Sequence, residues 1–312
     1  MKTKSLASLA LGQLVYLLAV ILFGAYVRAT GSGAGCGSHW PLCNGEVIPT
    51  APQIKTIIEF SHRISSGLTL PFALALYLLM RRFASHNKPA LSAAKWTMFF
   101  LVTEGLLGAG LVHFEHVAGN TSAYRAVSMS LHLINTFTLM AFASLTWFRL
   151  SDLQTQGSSG YEGQRNLTAR FYLFGGGIAI LVLGISGAIT ALADTVFPVT
   201  SAGGAFWDSF SPSSHLFVKL RIYHPFLAVS GGAFLIYIGR KLSNMAHQLR
   251  TPAQCLAVLV LFQLALGYIN VKLLAPVWLQ LTHLLFAELI WITYIVLAAM
   301  AKQELNGQLK AA

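Results

Sequence analysis

Glu59, His62 and Arg63 place a carboxyl, an imidazole and a guanidinium within five residues of one apolar stretch. Glu59 and His62 are three apart and share a helix face, while Arg63 is read as pointing to a different one. Ionisable groups inside a membrane segment are costly and mark a functional site by default. The plain alternative is a helix end whose charges are wet. A carboxyl beside a reacting group can move a proton or stabilise developing positive charge. Three more apolar segments carry an imidazole: His132, His224 and His283. His62, His132 and His224 each follow a helix-start signal, Pro52, Ser122 and Ser214, by ten residues, and His283 follows Pro276 by seven. At 1.5 Å per residue, every imidazole lies about 10–15 Å along its helix. Two imidazoles at one depth on facing helices are what axial ligation of a haem iron requires. Four hydrogen-bonded core histidines are the bland alternative. Zinc or copper also uses His pairs, but the membrane segments offer no thiolate cluster.

Basic residues accompany the histidines. Arg63 follows His62, Arg125 lies two turns before His132, and Arg221 lies one turn before His224. Guanidinium binds carboxylate in a bidentate fork, so these three are candidate partners for haem propionates; snorkelling to water or lipid headgroups is the competing reading. Position 59 carries Glu where the matching position before His224 carries Arg221, so the two halves are not chemically equivalent. Glu104 and Glu288 read as interior hydrogen-bonding groups, and Cys255 as a small core residue.

The elements that must position these groups follow from composition. Only 10% of the 312 residues are charged and 55% are hydrophobic, against about 25% charged in soluble domains. The chain is therefore read as an all-α integral membrane protein. Its net charge of +11 is a topology signal here and not a nucleic-acid signal. Eight segments reach the roughly 20 residues a crossing needs: 10–29, 53–80, 96–113, 123–148, 171–193, 215–239, 253–273 and 277–300. The first is read as a retained helix and not a cleaved signal. The two ends and the second–third, fourth–fifth and sixth–seventh connections hold 14 of the 21 Lys and Arg residues, which predicts both termini in the cytoplasm.

The segments also repeat. Gly24-Ala25 answers Gly187-Ala188, Glu104 answers Gln263, His62 answers His224, and His132 answers His283. Four helices per repeat preserve orientation, so the expected fold is two pseudo-symmetric four-helix bundles, a parallel 4+4 repeat. Residues 1–150 form the first, 151–170 a cytoplasmic linker and 171–312 the second. Cys36 and Cys43 fall in the first outer loop, where oxidising conditions permit a disulfide, either a staple for a Gly-rich loop or a redox pair.

Glu59-x-x-His62-Arg63, the Gly31-to-Cys43 loop, His132, Arg221-x-x-His224-Pro225 and His283 together resemble the haem A synthase family of bacterial membranes and mitochondria. The resemblance runs over nearly the whole chain. It implies oxidation of the C8 methyl of haem O to a formyl group, giving haem A for terminal oxidases. Two hydroxylations with water-derived oxygen, then loss of water, would produce the aldehyde. His62 and His132 would ligate the substrate haem O, His224 and His283 a haem b. Glu59 would be the catalytic carboxyl and Cys36 and Cys43 the first-loop pair. Some members carry a second cysteine pair between the fifth and sixth helices; this chain has none there. The implied partners are haem O, the lipid bilayer, an electron acceptor, a haem O synthase and a terminal oxidase assembly factor, with no nucleic acid. Without an Arg-rich transit peptide, the expected location is a bacterial inner membrane. A di-haem b-type electron carrier and a proton-coupled transporter are the rival readings.

Overall fold

In lipid every backbone N–H and C=O must bond within its own segment, so each crossing is a helix. The computed structural model of the chain describes residues 3–151, 153 and 166–311, and it contains eight helical stretches of 26–30 residues apolar enough to span a bilayer. The order is α1 (Thr3–Ala29), α2 (Ile54–Gly67), α3 (Thr69–Phe83), α4 (Lys88–His113), α5 (Ala123–Leu150), α6 (Asn166–Val196), α7 (Ala202–Asp208), α8 (Leu216–Arg221), α9 (Tyr223–Ser243), α10 (Arg250–Lys272) and α11 (Val277–Ala311).

Two spans are each built from two helices. The second breaks at Leu68 and the sixth at Ile222, each three residues before a proline, Pro71 and Pro225. Proline has no N–H for the carbonyl four residues back, and its ring crowds that carbonyl. Helix starts carry polar caps. Asn87 Oδ1 accepts from Ala90 N–H at 3.1 Å and Ser122 Oγ from Arg125 N–H at 3.3 Å. The cap of α8 is His215, whose Nδ1 accepts from Phe217 N–H at 3.3 Å, and not Ser214 as the sequence suggested. The expected linker 151–170 is shorter at its far end, because α6 already begins at Asn166; its residues 152 and 154–165 lie outside the described residues.

The packing turns the apolar surface outward. Val15, Phe99, Leu106, Phe174, Val258 and Leu261 are exposed on the helix surfaces, where a bilayer would cover them. The most apolar windows of α11 and α5 are 44% and 33% buried, the two highest among the eight spans, so these two helices form the centre. α1 packs on α2, α3 and α5, and α4 contacts α3 and α5; α6 packs on α8, α9 and α11, and α10 contacts α9 and α11. α5 meets both α6 and α11. The main core threads Leu14, Leu17, Phe137, Met140, Ile180, Leu235, Leu256, Trp291 and Leu297. Lipid supplies little hydrophobic drive between helices, so close packing and hydrogen bonds hold the join. Trp291 Nε1 donates to Phe137 O at 2.7 Å. A Cβ on Gly184 would stand 2.5 Å from the Phe137 ring, which shows how near α6 comes to α5.

Candidate functional site

The four intramembrane histidines are each half-buried, and each lies against a glycine of a neighbouring helix. A Cβ on Gly24, Gly187 and Gly267 would come within 3.1, 3.1 and 3.2 Å of Cε1 of His62, His224 and His283, and one on Gly108 within 3.8 Å of His132. Small residues at those positions make room for the rings. His62 and His132 are electrostatic neighbours, and so are His224 and His283. The pairing thus joins α2 with α5 and α9 with α11.

The surroundings of the four rings differ. His62 lies edge-on to Phe23, centroids 5.5 Å apart, and its Nδ1 is buried without a hydrogen-bond partner among the described residues. His132 Nε2 is 3.6 Å from Glu104 Oε1. Glu104 is itself held by Asn135 Nδ2 at 2.5 Å and by the Thr136 hydroxyl. His224 Nδ1 is 2.9 Å from Ser186 Oγ. His283 Nε2 is 3.2 Å from Gln263 Nε2, which also donates to His283 O at 3.0 Å. Glu104 and Gln263 thus take matching places as a carboxylate and an amide. Glu288 is 2% exposed and its Oε2 has no hydrogen-bond partner among the described residues.

Glu59 sits one turn before His62 and is only 3% exposed. Its Oε1 accepts from Arg63 Nε at 3.1 Å and Nη2 at 2.5 Å, and its Oε2 accepts from Cys36 N–H at 2.9 Å. Arg63, four residues on, therefore reaches back to the Glu59 side of the helix, which corrects the reading that it points elsewhere; i and i+4 are neighbours on a helix surface. Its Nη1 donates to His39 O and Leu42 O, both at 2.7 Å. Cys36 and Cys43 form a disulfide and both are fully buried. Thr56 Oγ1 donates to Gly35 O at 2.8 Å, and a Cβ on Gly35 would overlap the Lys55 carbonyl. The disulfide loop is seated on the first turns of α2, clamped through the Glu59–Arg63 pair.

A second polar cluster lies where α1, α6 and α8 end and α5 begins. Arg125 is 2% exposed and donates from Nη1 to Ala118 O at 2.5 Å and Asn120 O at 2.8 Å, which fastens the 114–122 loop. Arg221 pairs with Asp194 at 3.0 Å. Arg28 donates to Ala191 O at 2.8 Å, Thr195 Oγ1 at 2.7 Å and Gln280 Oε1 at 3.0 Å, and so ties α1 to α6 and α11. Arg28 is an electrostatic neighbour of both Arg125 and Asp194. Asp194 thus faces two guanidiniums, Arg221 and Arg28, and Arg28 in turn adjoins Arg125. Sequence reasoning missed Asp194 and Ser186; a polar side chain inside an apolar helix was the available signal for each. Cys255 is exposed, not a core residue.

Comparison with known proteins adds the family. The chain is 46% identical over 303 residues to a protein of Thermus thermophilus named protoheme IX farnesyltransferase, covering 95% of this chain and 48% of that protein. It is 42% identical over 127 residues to the heme A synthase of Alkalihalophilus pseudofirmus, 40% of this chain and 43% of that one. The heme A synthase of Halalkalibacterium halodurans is 40% identical over 131 residues, 42% of this chain and 43% of that one. The chain therefore spans about half the length of the curated relatives it matches. The family model described as cytochrome oxidase assembly protein matches residues 7–295, nearly the whole span of eight helices, four histidines and the disulfide loop, and the chain belongs to that COX15-CtaA family.

Proposed function

We propose that the chain is a haem A synthase that oxidises the C8 methyl of haem O to a formyl group. The heme A synthase relatives support the activity. The observation that carries it is an asymmetry within a repeated frame. Two imidazole pairs are set against glycines in the same way, but only the first has a buried carboxylate, Glu59, one turn before its histidine.

The repeat is read as two pseudo-symmetric bundles, residues 1–150 and 171–312. Matching contacts support it: α1 on α5 and α4 on α5 in the first, α6 on α11 and α10 on α11 in the second. The donor set fits haem, since two half-buried imidazoles per site are the usual axial pair for a haem b. His62 and His132 would hold haem O as substrate, His224 and His283 a resident haem b. Haem b, when bound, supplies one-electron transfer. Arg63, Arg125 and Arg221 are assigned to the propionates. The gathering of Arg28, Arg125 and Arg221 near Asp194 supports that assignment for Arg125 and Arg221.

In the net reaction the methyl takes up one water oxygen and loses four electrons and four protons, the electrons leaving to an acceptor. Two hydroxylations give the hydrated aldehyde, and loss of water gives the formyl group. Glu59, negatively charged and screened from water, would stabilise positive charge developing at the oxidised carbon. Arg63 and Cys36 N–H hold that carboxylate in one orientation.

The basic-residue bias supports both termini on the cytoplasmic side and the disulfide loop on the outer side of what we take to be a bacterial inner membrane. The Thermus relative carries a farnesyltransferase name and about twice the matched length, so we assign farnesyl transfer to the part this chain does not cover. A haem O synthase is then the natural donor of substrate, and a terminal oxidase assembly factor the acceptor of product. Expression together with a haem O synthase, followed by acid-acetone haem extraction and mass analysis, tests the activity. A formyl haem is expected. Haem O and haem b alone, with the protein present, would favour the di-haem electron carrier; protein without any haem would favour the transporter.

A further inference from the structure

We propose that Ser186 is a positioning residue for His224, setting the tautomer and orientation of that imidazole and, through it, the retention and potential of the second haem. The inference rests on the reading of His224 as a haem ligand.

Ser186 Oγ lies 3.0 Å from Leu183 O, which can only accept, and 2.9 Å from His224 Nδ1; we assign its one proton to Leu183 O, so that its oxygen accepts from Nδ1. The imidazole must then carry its proton on Nδ1, which leaves a lone pair on Nε2, the form that binds metal. The next residue, Gly187, brings the α6 backbone against the same ring, where a Cβ would be 3.1 Å from Cε1. Two consecutive residues of one helix therefore fix the ring, one by a hydrogen bond and one by contact.

The first site lacks the bond. Gly24 approaches His62 at the same 3.1 Å, but the residue before it is Phe23, whose ring lies edge-on at 5.5 Å. Nδ1 of His62, His132 and His283 is buried without a hydrogen-bond partner among the described residues. Of the four, only His224 has its Nδ1 satisfied among the described residues. A ligand whose far N–H has an acceptor is better oriented and more basic. It holds its iron more firmly and favours the ferric state. Ser186 thus suits a haem that stays, and Phe23 a haem that enters and leaves.

The test uses purified full-length protein with its bound haems. Haem loss is followed by transfer to apomyoglobin, and midpoint potentials by redox titration. Ser186→Ala should weaken haem retention at the second site about 10–100-fold and raise that haem's potential, a tenfold change in ferric preference being about 59 mV. Ser186→Thr, which keeps the hydroxyl, should preserve both values, and its isostere Ser186→Val should not. This pair decides the matter if the alanine variant does not accumulate. Unchanged retention and potential in Ser186→Val, with haem lost in His224→Ala, would overturn the positioning role and leave ligation standing. Unchanged haem in His224→Ala would overturn ligation and this proposal together.

Discussion

Replacing Glu59 by Gln should separate chemistry from architecture, provided its structural effect is measured too. The carboxylate accepts two hydrogen bonds from Arg63 and one from Cys36 N–H. Gln keeps one oxygen, enough for Cys36, but turns an NH₂ towards the guanidinium. The Arg63 side chain is 12% exposed, so it loses its counter-ion in a poorly solvated place. Breaking a buried pair from one side costs about 3–5 kcal/mol. Arg63 retains the carbonyls of His39 and Leu42, which places the cost near the lower limit, about 3 kcal/mol. That alone lowers the folded ratio about 100-fold, as large as the roughly 10²–10³-fold loss of rate anticipated for removing one electrostatic stabiliser. The double variant Glu59→Gln/Arg63→Gln removes both charges. With Arg63→Gln alone costing about 2–3 kcal/mol, the double variant should be no less stable than Glu59→Gln alone, a coupling of about 2–3 kcal/mol across the three variants, while haem A formation per folded protein stays low. Thermal melts in detergent give the stabilities, and haem extraction gives the product. Recovery of haem A in the double variant would show that the carboxylate serves the loop and not the reaction. Additive stabilities would show that the pair does not hold the loop.

Other perturbations address the rest of the site. His224→Ala and His283→Ala should each remove the second haem and spare the first; absorption spectra unchanged in both would end the ligand assignment. Thiol labelling of the folded protein without reductant should mark the exposed Cys255 alone; ready labelling of Cys36 or Cys43 would contradict the disulfide loop. Gly187→Ala should displace the His224 ring, since its Cβ would stand 3.1 Å from Cε1, whereas a Cβ on Gly105 meets nothing within 4 Å. Haem content should therefore fall in the first variant and hold in Gly105→Ala, and equal haem content in both would refute the steric argument. Asp194→Asn should remove the Arg221–Asp194 ion pair and lower the melting temperature by a few degrees, as expected for a loss of about 1–2 kcal/mol; an unchanged melt would show the pair to be solvent-screened.

Much of this molecule is legible along the chain. A run of about 20 apolar residues has only the helix to satisfy its backbone in lipid, so eight crossings follow from composition, and all eight are present. The interval between a helix start and its histidine is also one-dimensional, which is why the four imidazoles stand out in the sequence. The breaks before Pro71 and Pro225 are announced by the missing N–H, although hydropathy alone treats each of those spans as continuous. The α8 cap falls one residue from its expected place because both Ser214 and His215 can accept a backbone hydrogen bond.

Contacts between distant segments are a different kind of quantity. Cys36 N–H meets Glu59 across 23 residues, Ser186 meets His224 across 38, and Arg28 meets Gln280 across 252. Spacing along a helix constrains which residues share a face, but not which neighbour that face meets, or which lone pair a donor finds there. Glu59 thus reads in the sequence as a carboxyl grouped with His62 and Arg63 on its own helix, and only the fold makes it the anchor of the disulfide loop. The two halves carry near-identical glycine–histidine contacts, and the physical difference between them arises one residue away. Phe23 offers His62 a ring edge, while Ser186 offers His224 an oxygen. Helix formation depends on each segment's own groups; the state of an imidazole depends on what another segment brings to it.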